Sequence, residues 1–195
     1  AFFIRSNVAH AKIKNIDITK ALKSDGVAAI YTGADIAADG VGGPICGWTP
    51  TNRDGSAPKE PPHPLLANGK VRYVGDHIAV VIAESMEQAK SAAENVKIEL
   101  ETLAPVVDLS TAIGNTQIHD EMDDNVYFDW ELGDEKATAD ALGSATKVIE
   151  LTVTNNRVIP NAMEPRAAVA EYDETNESYT LYTSSQNPHL TRLVM

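Results

Sequence analysis

The segment His77-Ile78-Ala79-Val80-Val81-Ile82-Ala83 constrains the fold more than any other. It is seven residues long, carries no carboxylate, lysine or arginine, and is rich in β-branched side chains. A strand that is apolar on both faces must be covered on both faces, which places it in the middle of a sheet. The next twenty residues are equally patterned. Ser85 and Gln88 have the spacing of a capping box and open a helix from Met86 to about Val96. Met86, Ala89, Ala93 and Val96 fall on one face of that helix. Lys97 to Glu101 alternates as a further strand. The stretch from Tyr73 to Glu101 therefore reads as strand, helix, strand.

The chain before it supplies more strands. Phe2 to Ser6 and Ala11 to Ile18 read as two short ones. Asp17 or Thr19 is the expected cap of a short helix carrying Ala21 and Leu22. Asp25-Gly26 ends that helix, and Val27 to Thr32 is a mostly apolar strand bounded by Gly33. Ala37 to Pro64 breaks the pattern with Gly42-Gly43-Pro44 and Pro61-Pro62-His63-Pro64. A connection of this length implies a binding role or flexibility. Trp48 lies inside it and needs a surface on which to bury its ring. Val71 to Val74 is expected as a strand before the Gly75-Asp76 turn.

Beyond Glu101 the pattern changes again. A short helix is expected near Leu109 to Ile113. Gly114 to Asn125 is polar and acidic and reads as a linker. Val126 to Glu131 is a strand candidate, and Gly133-Asp134 leads into a helix from Glu135 to about Leu142. Lys147 to Thr154 alternates strongly, with Val148, Glu150, Thr152 and Thr154 on one face. Ala167 to Tyr172 and Ser178 to Thr183 read as two strands joined by a turn at Asp173 to Glu177. Pro188 to Met195 starts a helix, with Asn187 as its cap. The fold class is α+β. The organisation expected is a first domain over residues 1–115, a linker over 116–124 and a second, incomplete domain over 125–195. A start upstream of Ala1 and a continuation past Met195 are both expected.

Composition excludes several functions. Sixteen Lys+Arg against 28 Asp+Glu leave a net charge of −12, which offers no basic patch to nucleic acid or to an anionic membrane. No apolar run is long enough to span a bilayer. Cys46 is the single cysteine, so neither an internal disulfide nor a thiolate cluster for zinc or iron–sulfur is available. With no signal peptide in view, this suits a reducing, cytoplasmic setting. His10, His63, His77, His119 and His189 show no ligand spacing, so no metal held by protein side chains is expected. There is no dinucleotide or Walker phosphate loop. Ser6 and His10 lack an orienting carboxylate and read as polar residues near a strand end. Cys46 reads as a small packed residue.

Two polar features near the end stand out. Glu164 and Arg166 flank Pro165 in an apolar context, and read as a half-buried structural pair at a strand start. Gln186 sits between a strand and a helix start. A carboxamide there donates to an oxygen-rich ligand without adding charge, and the helix beyond favours anions. On residue chemistry alone, a loop-capping role for Gln186 is the stronger reading.

The ordered set of segments resembles the large subunits of the molybdenum hydroxylases, the family of xanthine dehydrogenase, aldehyde oxidase and aerobic carbon monoxide dehydrogenase. The resemblance runs through Phe3-Ile4-Arg5-Ser6, Ala9-His10-Ala11-Lys12-Ile13, Asp25-Gly26-Val27, Tyr31-Thr32-Gly33-Ala34-Asp35 and Val71-Arg72-Tyr73-Val74-Gly75-Asp76. It continues through Leu103-Ala104-Pro105-Val106-Val107-Asp108, Met163-Glu164-Pro165-Arg166 and Ser185-Gln186-Asn187-Pro188-His189. It implies an α/β hammerhead domain followed by the start of a molybdopterin-binding domain. It implies a molybdenum–molybdopterin cofactor, such as the cytosine dinucleotide form, held by dithiolene sulfurs rather than by side chains. The Met-Glu-Pro-Arg form suggests the bacterial branch of separate large subunits. Partners would then be an FAD-binding medium subunit and a 2Fe–2S small subunit, with a small-molecule substrate. Gln186 matches the glutamine beside the molybdenum oxo group. No counterpart of the family's catalytic glutamate occurs in these residues, so no catalytic residue is expected here. A non-catalytic, acidic α/β interaction module is the alternative.

Overall fold

The computed structural model describes residues 1–44 and 46–195. The chain divides into two compact units, Ala1–Glu131 and Leu132–Met195. The first unit is organised around the apolar strand. β1 (Phe2–Arg5), β2 (Ala11–Asp17), β3 (Val27–Thr32), α1 (Gly33–Ala38), β4 (Lys70–Val71), β5 (His77–Ala83), α2 (Met86–Ala93) and β6 (Lys97–Thr102) come in that order. β5 is central in a three-stranded sheet, between β1 and β3. A second sheet has the order β4-β2-β6. Every pairing in both sheets is antiparallel.

The two faces of β5 explain its composition. Val81 points into a core with Ile30, Ala21 and the α2 residues Ala89 and Ala92. Ile78, on the opposite parity, joins Ala11, Ala67 and Val71, with Ile13, Ile16, Ile98 and Leu100 of the second sheet packed on them. The first sheet is thus sandwiched between a helix and a second sheet. Each buried Val or Ile here contributes about 1.5–3 kcal/mol relative to exposure. The strand–helix–strand run lies where the sequence places it. β5 and β6 nevertheless belong to different sheets, so α2 carries the chain from one sheet to the other.

Local chemistry sets the helix ends. Ser85 Oγ accepts from Gln88 N at 3.2 Å, as the capping box requires. The Gln88 side chain does not return to Ser85; its Nε2 donates to Asp25 at 3.4 Å. α2 ends at Ala93, its buried face centres on Ala89 and Ala92, and Met86 is exposed. The short turn of helix is Ala21–Lys23, and neither Asp17 nor Thr19 caps it; Asp17 instead accepts from Thr19 N. α1 adds a helix beyond those expected. Its signal is Thr32 and Asp35: the Asp35 carboxylate accepts from both Thr32 N and Thr32 Oγ at 2.7 Å.

Two strands expected in the first unit do not form as read. The strand expected over Val71 to Val74 is cut to Lys70–Val71, because Arg72 N donates to the Asp76 carboxylate at 3.0 Å and leaves the ladder. Val126 to Glu131 forms no strand. Its aromatic residues go to Trp48, which meets Phe128 and Trp130 edge-on, each with ring centroids 5.7 Å apart. Asp129 O accepts from Arg53 N at 2.8 Å, and Asp129 N donates to Asn52 Oδ1 at 3.0 Å. Arg53 also bridges the Asp129 and Glu131 carboxylates. The long excursion is therefore tied along 126–131, which is where Trp48 finds its surface.

Residues 114–125, read as linker, carry a dense set of local bonds inside the first unit. Asp124 accepts from Gly114 N, and Asn125 Nδ2 donates to Ala112 O and Thr116 O. Lys70, almost wholly buried, donates to Asp120 at 2.6 Å, and Arg72 Nε reaches Ile118 O. Met122 is buried.

The second unit is thinner. It contains α3 (Glu135–Ser144), β7 (Ala168–Asp173), β8 (Ser178–Thr183) and α4 (Pro188–Val194). Asp134 caps α3 by accepting from Ala137 N at 2.8 Å. β7 and β8 pair as an antiparallel hairpin, and Asp173 accepts from Thr175 N, Asn176 N and Asn176 Nδ2 in its turn. Residues 145–167 have no regular secondary structure. The strand expected at Lys147 to Thr154 is absent because no strand pairs with it among the described residues, and Ile149, Leu151 and Val153 are about four-fifths exposed.

Two outcomes are expected. A Cβ at Gly33 would sit 2.3 Å from the Ala67 carbonyl oxygen, a backbone atom that cannot swing aside. Gly33→Ala should lower stability by about 2–3 kcal/mol in urea unfolding, the range of overpacked sites; an unchanged midpoint would show that the two segments are not in contact. The second concerns acid. Burial, then the Arg5 charge, holds His77 below its ordinary value of 6.5. Burial, then the Arg72 charge, does the same to His119. The unfolded chain then takes up protons first as pH falls, so this contribution is present above about pH 6.5 and is lost as pH falls through the folded values. The thermal midpoint should drop below pH 6.5, and His77→Gln with His119→Gln should flatten that limb.

Candidate functional site

Gln186 lies in the second unit, in the short link between β8 and α4, and is exposed. Its neighbours hold the backbone while leaving its side chain uncommitted. Ser185 Oγ accepts from Asn187 N at 3.1 Å and lies 3.0 Å from Thr191 Oγ. Thr191 Oγ donates to Asn187 O at 3.1 Å, and Thr183 Oγ at the end of β8 donates to Ala167 O just before β7. No side-chain hydrogen bond to Gln186 occurs among the described residues. Asn187 precedes α4 without a side-chain cap, and Pro188 occupies the first turn. A cleft of about 480 Å³ opens beside this link, between β8 and α4. Tyr179 and Leu181 from the strand and Pro188, Arg192 and Met195 from the helix line it, with the Ser185 and Thr191 hydroxyls. Arg192 makes no ion pair among the described residues.

The other sequence candidates fall elsewhere. Glu164 and Arg166 are both exposed and form no ion pair among the described residues, which corrects the half-buried pair expected at a strand start. They lie in the irregular 145–167 stretch; β7 begins only at Ala168, so no strand geometry aligns them. Ser6 and His10 do not meet as a nucleophilic pair. Ser6 Oγ donates to Val8 O at 2.7 Å and accepts from Val8 N, closing a local turn. His10 is buried and its Nδ1 donates to Ala104 O at 2.8 Å, while Nε2 has no partner among the described residues. Cys46 is exposed rather than packed, and its thiol donates to Trp48 O at 2.9 Å. No three His, Cys, Asp or Glu side chains converge into a metal site among the described residues. No helix among them is long and apolar enough to cross a membrane.

Comparison with known proteins decides what these two units are. Residues 1–104 match the family described as aldehyde oxidase and xanthine dehydrogenase, a/b hammerhead domain. The chain belongs to this family. Residues 118–195 match the molybdopterin cofactor-binding domain, which includes Gln186 and the cleft beside it. The fold is therefore a hammerhead domain followed by part of a molybdopterin-binding domain, as the resemblance implied. Over 198 residues the chain is 32% identical to the nicotine 6-hydroxylase large subunit of Paenarthrobacter nicotinovorans, covering 100% of this chain and 23% of that one. It is 32% identical to the carbon monoxide dehydrogenase large chain of Afipia carboxidovorans, covering 99% of this chain and 24% of that one. The crystal structure of quinoline 2-oxidoreductase from Pseudomonas putida superposes with a TM-score of 0.77 at 32% identity, over 95% of this chain and 23% of the other. The chain thus spans about a quarter of the length of these relatives.

Ser185 supplies one of the hydroxyls that hold the link carrying Gln186. Ser185→Ala removes the acceptor for Asn187 N, a loss of roughly 1 kcal/mol. Amide exchange at Asn187 and Thr191 should speed up about fivefold while exchange within β7 and β8 stays as it was. Unchanged exchange at Asn187 would show that Ser185 does not hold the turn.

Proposed function

We propose that this chain is part of the large subunit of a molybdenum hydroxylase, and that Gln186 is one of the residues facing its metal centre. The observation that supports this most directly is the Gln186 carboxamide. It is exposed, without a hydrogen bond among the described residues, on a link locked by Ser185 and Thr191, within residues that match a molybdopterin-binding domain. The chemistry of the site suits the group. An amide donates to an oxygen atom without bringing charge. The cleft beside it offers the Arg192 guanidinium and two hydroxyls to a polar, phosphate-bearing cofactor. When bound, the molybdenum–molybdopterin group supplies the two-electron redox chemistry. Gln186 orients and donates a hydrogen bond; it moves no proton of its own. The Ser185–Thr191 contact fixes where that amide sits.

In the same reading, residues 1–115 and 125–195 are the two domains, and 116–124 join them while bonded to Lys70 and Arg72 of the first. The working enzyme combines this subunit with an FAD-binding medium subunit and a 2Fe–2S small subunit in the cytoplasm. It oxidises a small molecule such as carbon monoxide, an aldehyde or an N-heterocycle. The alternative of an acidic interaction module has less support, because the similar proteins are themselves subunits of oxidoreductases.

Substitution of Gln186 in the full assembly tests the assignment. Gln186→Ala should leave folding intact, since an exposed amide contributes little to the core. It should slow reduction by substrate about fivefold, the equivalent of one hydrogen bond of roughly 1 kcal/mol, with a smaller change in molybdenum content. Gln186→Glu should be slower still, because an ionised carboxylate cannot donate and adds like charge. The rate of substrate-driven reduction is measured with molybdenum assayed in parallel. Wild-type rates in both variants would remove Gln186 from the site.

A further inference from the structure

The first unit holds a pocket that the hydroxylase reading leaves unused. It has a volume of about 510 Å³ and lies where the proline-rich excursion faces residues 106–127. Val106, Ile118 and Met122 give it apolar surface, and Glu60, His119 and Tyr127 bring polar groups to its lining. Volumes of about 300–1,000 Å³ with mainly apolar walls and a few polar groups are those of small-molecule sites. Met122 is buried, and Tyr127 and His119 are half-buried, so the walls belong to the folded unit rather than to its outer surface.

Those walls are braced from behind. The Asn125 carboxamide accepts from Ile118 N at 3.0 Å and donates to Ala112 O and Thr116 O. Gln117 Nε2 donates to Met122 O at 2.7 Å. Across the pocket, Gly43 packs so closely on the His63 carbonyl that a Cβ would stand 1.9 Å from its oxygen. Lys59 pairs with Asp123 and ties the excursion to the opposite wall. A pocket held in this way needs little reorganisation before a ligand enters.

We propose that this pocket binds an uncharged, largely apolar small molecule of one or two rings that carries a hydrogen-bonding group. Its electrostatics select against charge of either sign. The Glu60 carboxylate disfavours an anion. Burial, then the Arg72 charge, opposes protonation of His119, and the same loss of water opposes a charged ligand beside it. The neutral imidazole and the Tyr127 phenol each offer hydrogen-bonding capacity to a neutral partner. Neither the family assignment nor Gln186 calls for a site here.

Methionine methyl resonances give a direct test with internal controls. The chain has four methionines, Met86, Met122, Met163 and Met195, and among these only Met122 lines the pocket. Carbon-13 methyl-labelled chain is titrated with indole, an uncharged two-ring probe with one N–H donor. The Met122 signal should shift saturably, with a Kd of about 0.1–1 mM, while the other three stay in place. Val106→Phe fills the mouth at a partly exposed position and should weaken binding at least about fivefold; His119→Phe, which keeps the ring and removes its nitrogens, should weaken it about three- to tenfold. The proposal is overturned if Met122 does not move up to the solubility limit of indole, or if all four methyls move together. It is equally overturned if Val106→Phe binds as tightly as the parent chain. The wild-type titration stands whether or not either variant folds.

Discussion

Everything in the first unit hangs on the double pairing of β5. Its backbone is satisfied on both edges by β1 and β3, and its side chains alternate between a helix-covered core and a sheet-covered core. No lysine, arginine or carboxylate interrupts it, and Ile78, Ala79 and Val81 at its centre are shut off from water; only Ile82 near its end is exposed. That one strand requires α2 on one side and the β4-β2-β6 sheet on the other. It also requires small residues, Ala79, Ala89 and Ala92, where the layers approach. The Gly33 contact with Ala67 is a consequence of the same closeness: the chain leaving β3 passes directly over the chain entering β4.

The second unit lacks such a centre. Its hairpin and two helices leave Val169, Tyr179, Leu193 and most apolar residues of the 145–167 stretch open to solvent. Order there comes from short-range polar contacts: Asp134 on α3, Asp173 in the hairpin turn, Ser185 and Thr191 beside Gln186. Local hydrogen bonds of this kind hold a geometry but bury little surface, so each adds only about 0.5–1.5 kcal/mol. The division suits a chain that matches a hammerhead domain and part of a molybdopterin-binding domain.

This contrast explains how much of the fold was legible in the sequence. Strands whose partners lie in the first unit are readable from apolar alternation, and β5, α2 and β6 fall within a few residues of expectation. The hairpin is readable from its turn chemistry. Lys147 to Thr154 alternates just as clearly yet forms nothing, because alternation describes a face and not the strand that must pair with it. Val126 to Glu131 fails for another reason: Phe128 and Trp130 go to Trp48, a partner distant in sequence that no local pattern reveals. α1 escapes notice although Thr32 and Asp35 carry its capping signal. Gln186 enters as a candidate through family resemblance alone; as a lone amide in a link, its residue chemistry favours a loop cap. The structure adds that it caps nothing among the described residues of its own unit.

Two lines meet in the functional reading: a family that the chain demonstrably belongs to, and an uncommitted amide within the residues that match that family's cofactor domain. The central claim is that the natural protein carries molybdenum. The most direct test is to isolate the protein from its own host through an affinity tag and measure metals by mass spectrometry. The account predicts stoichiometric molybdenum, lost when cells grow with tungstate in place of molybdate. Purified, folded protein with no molybdenum under molybdate-replete growth would contradict it.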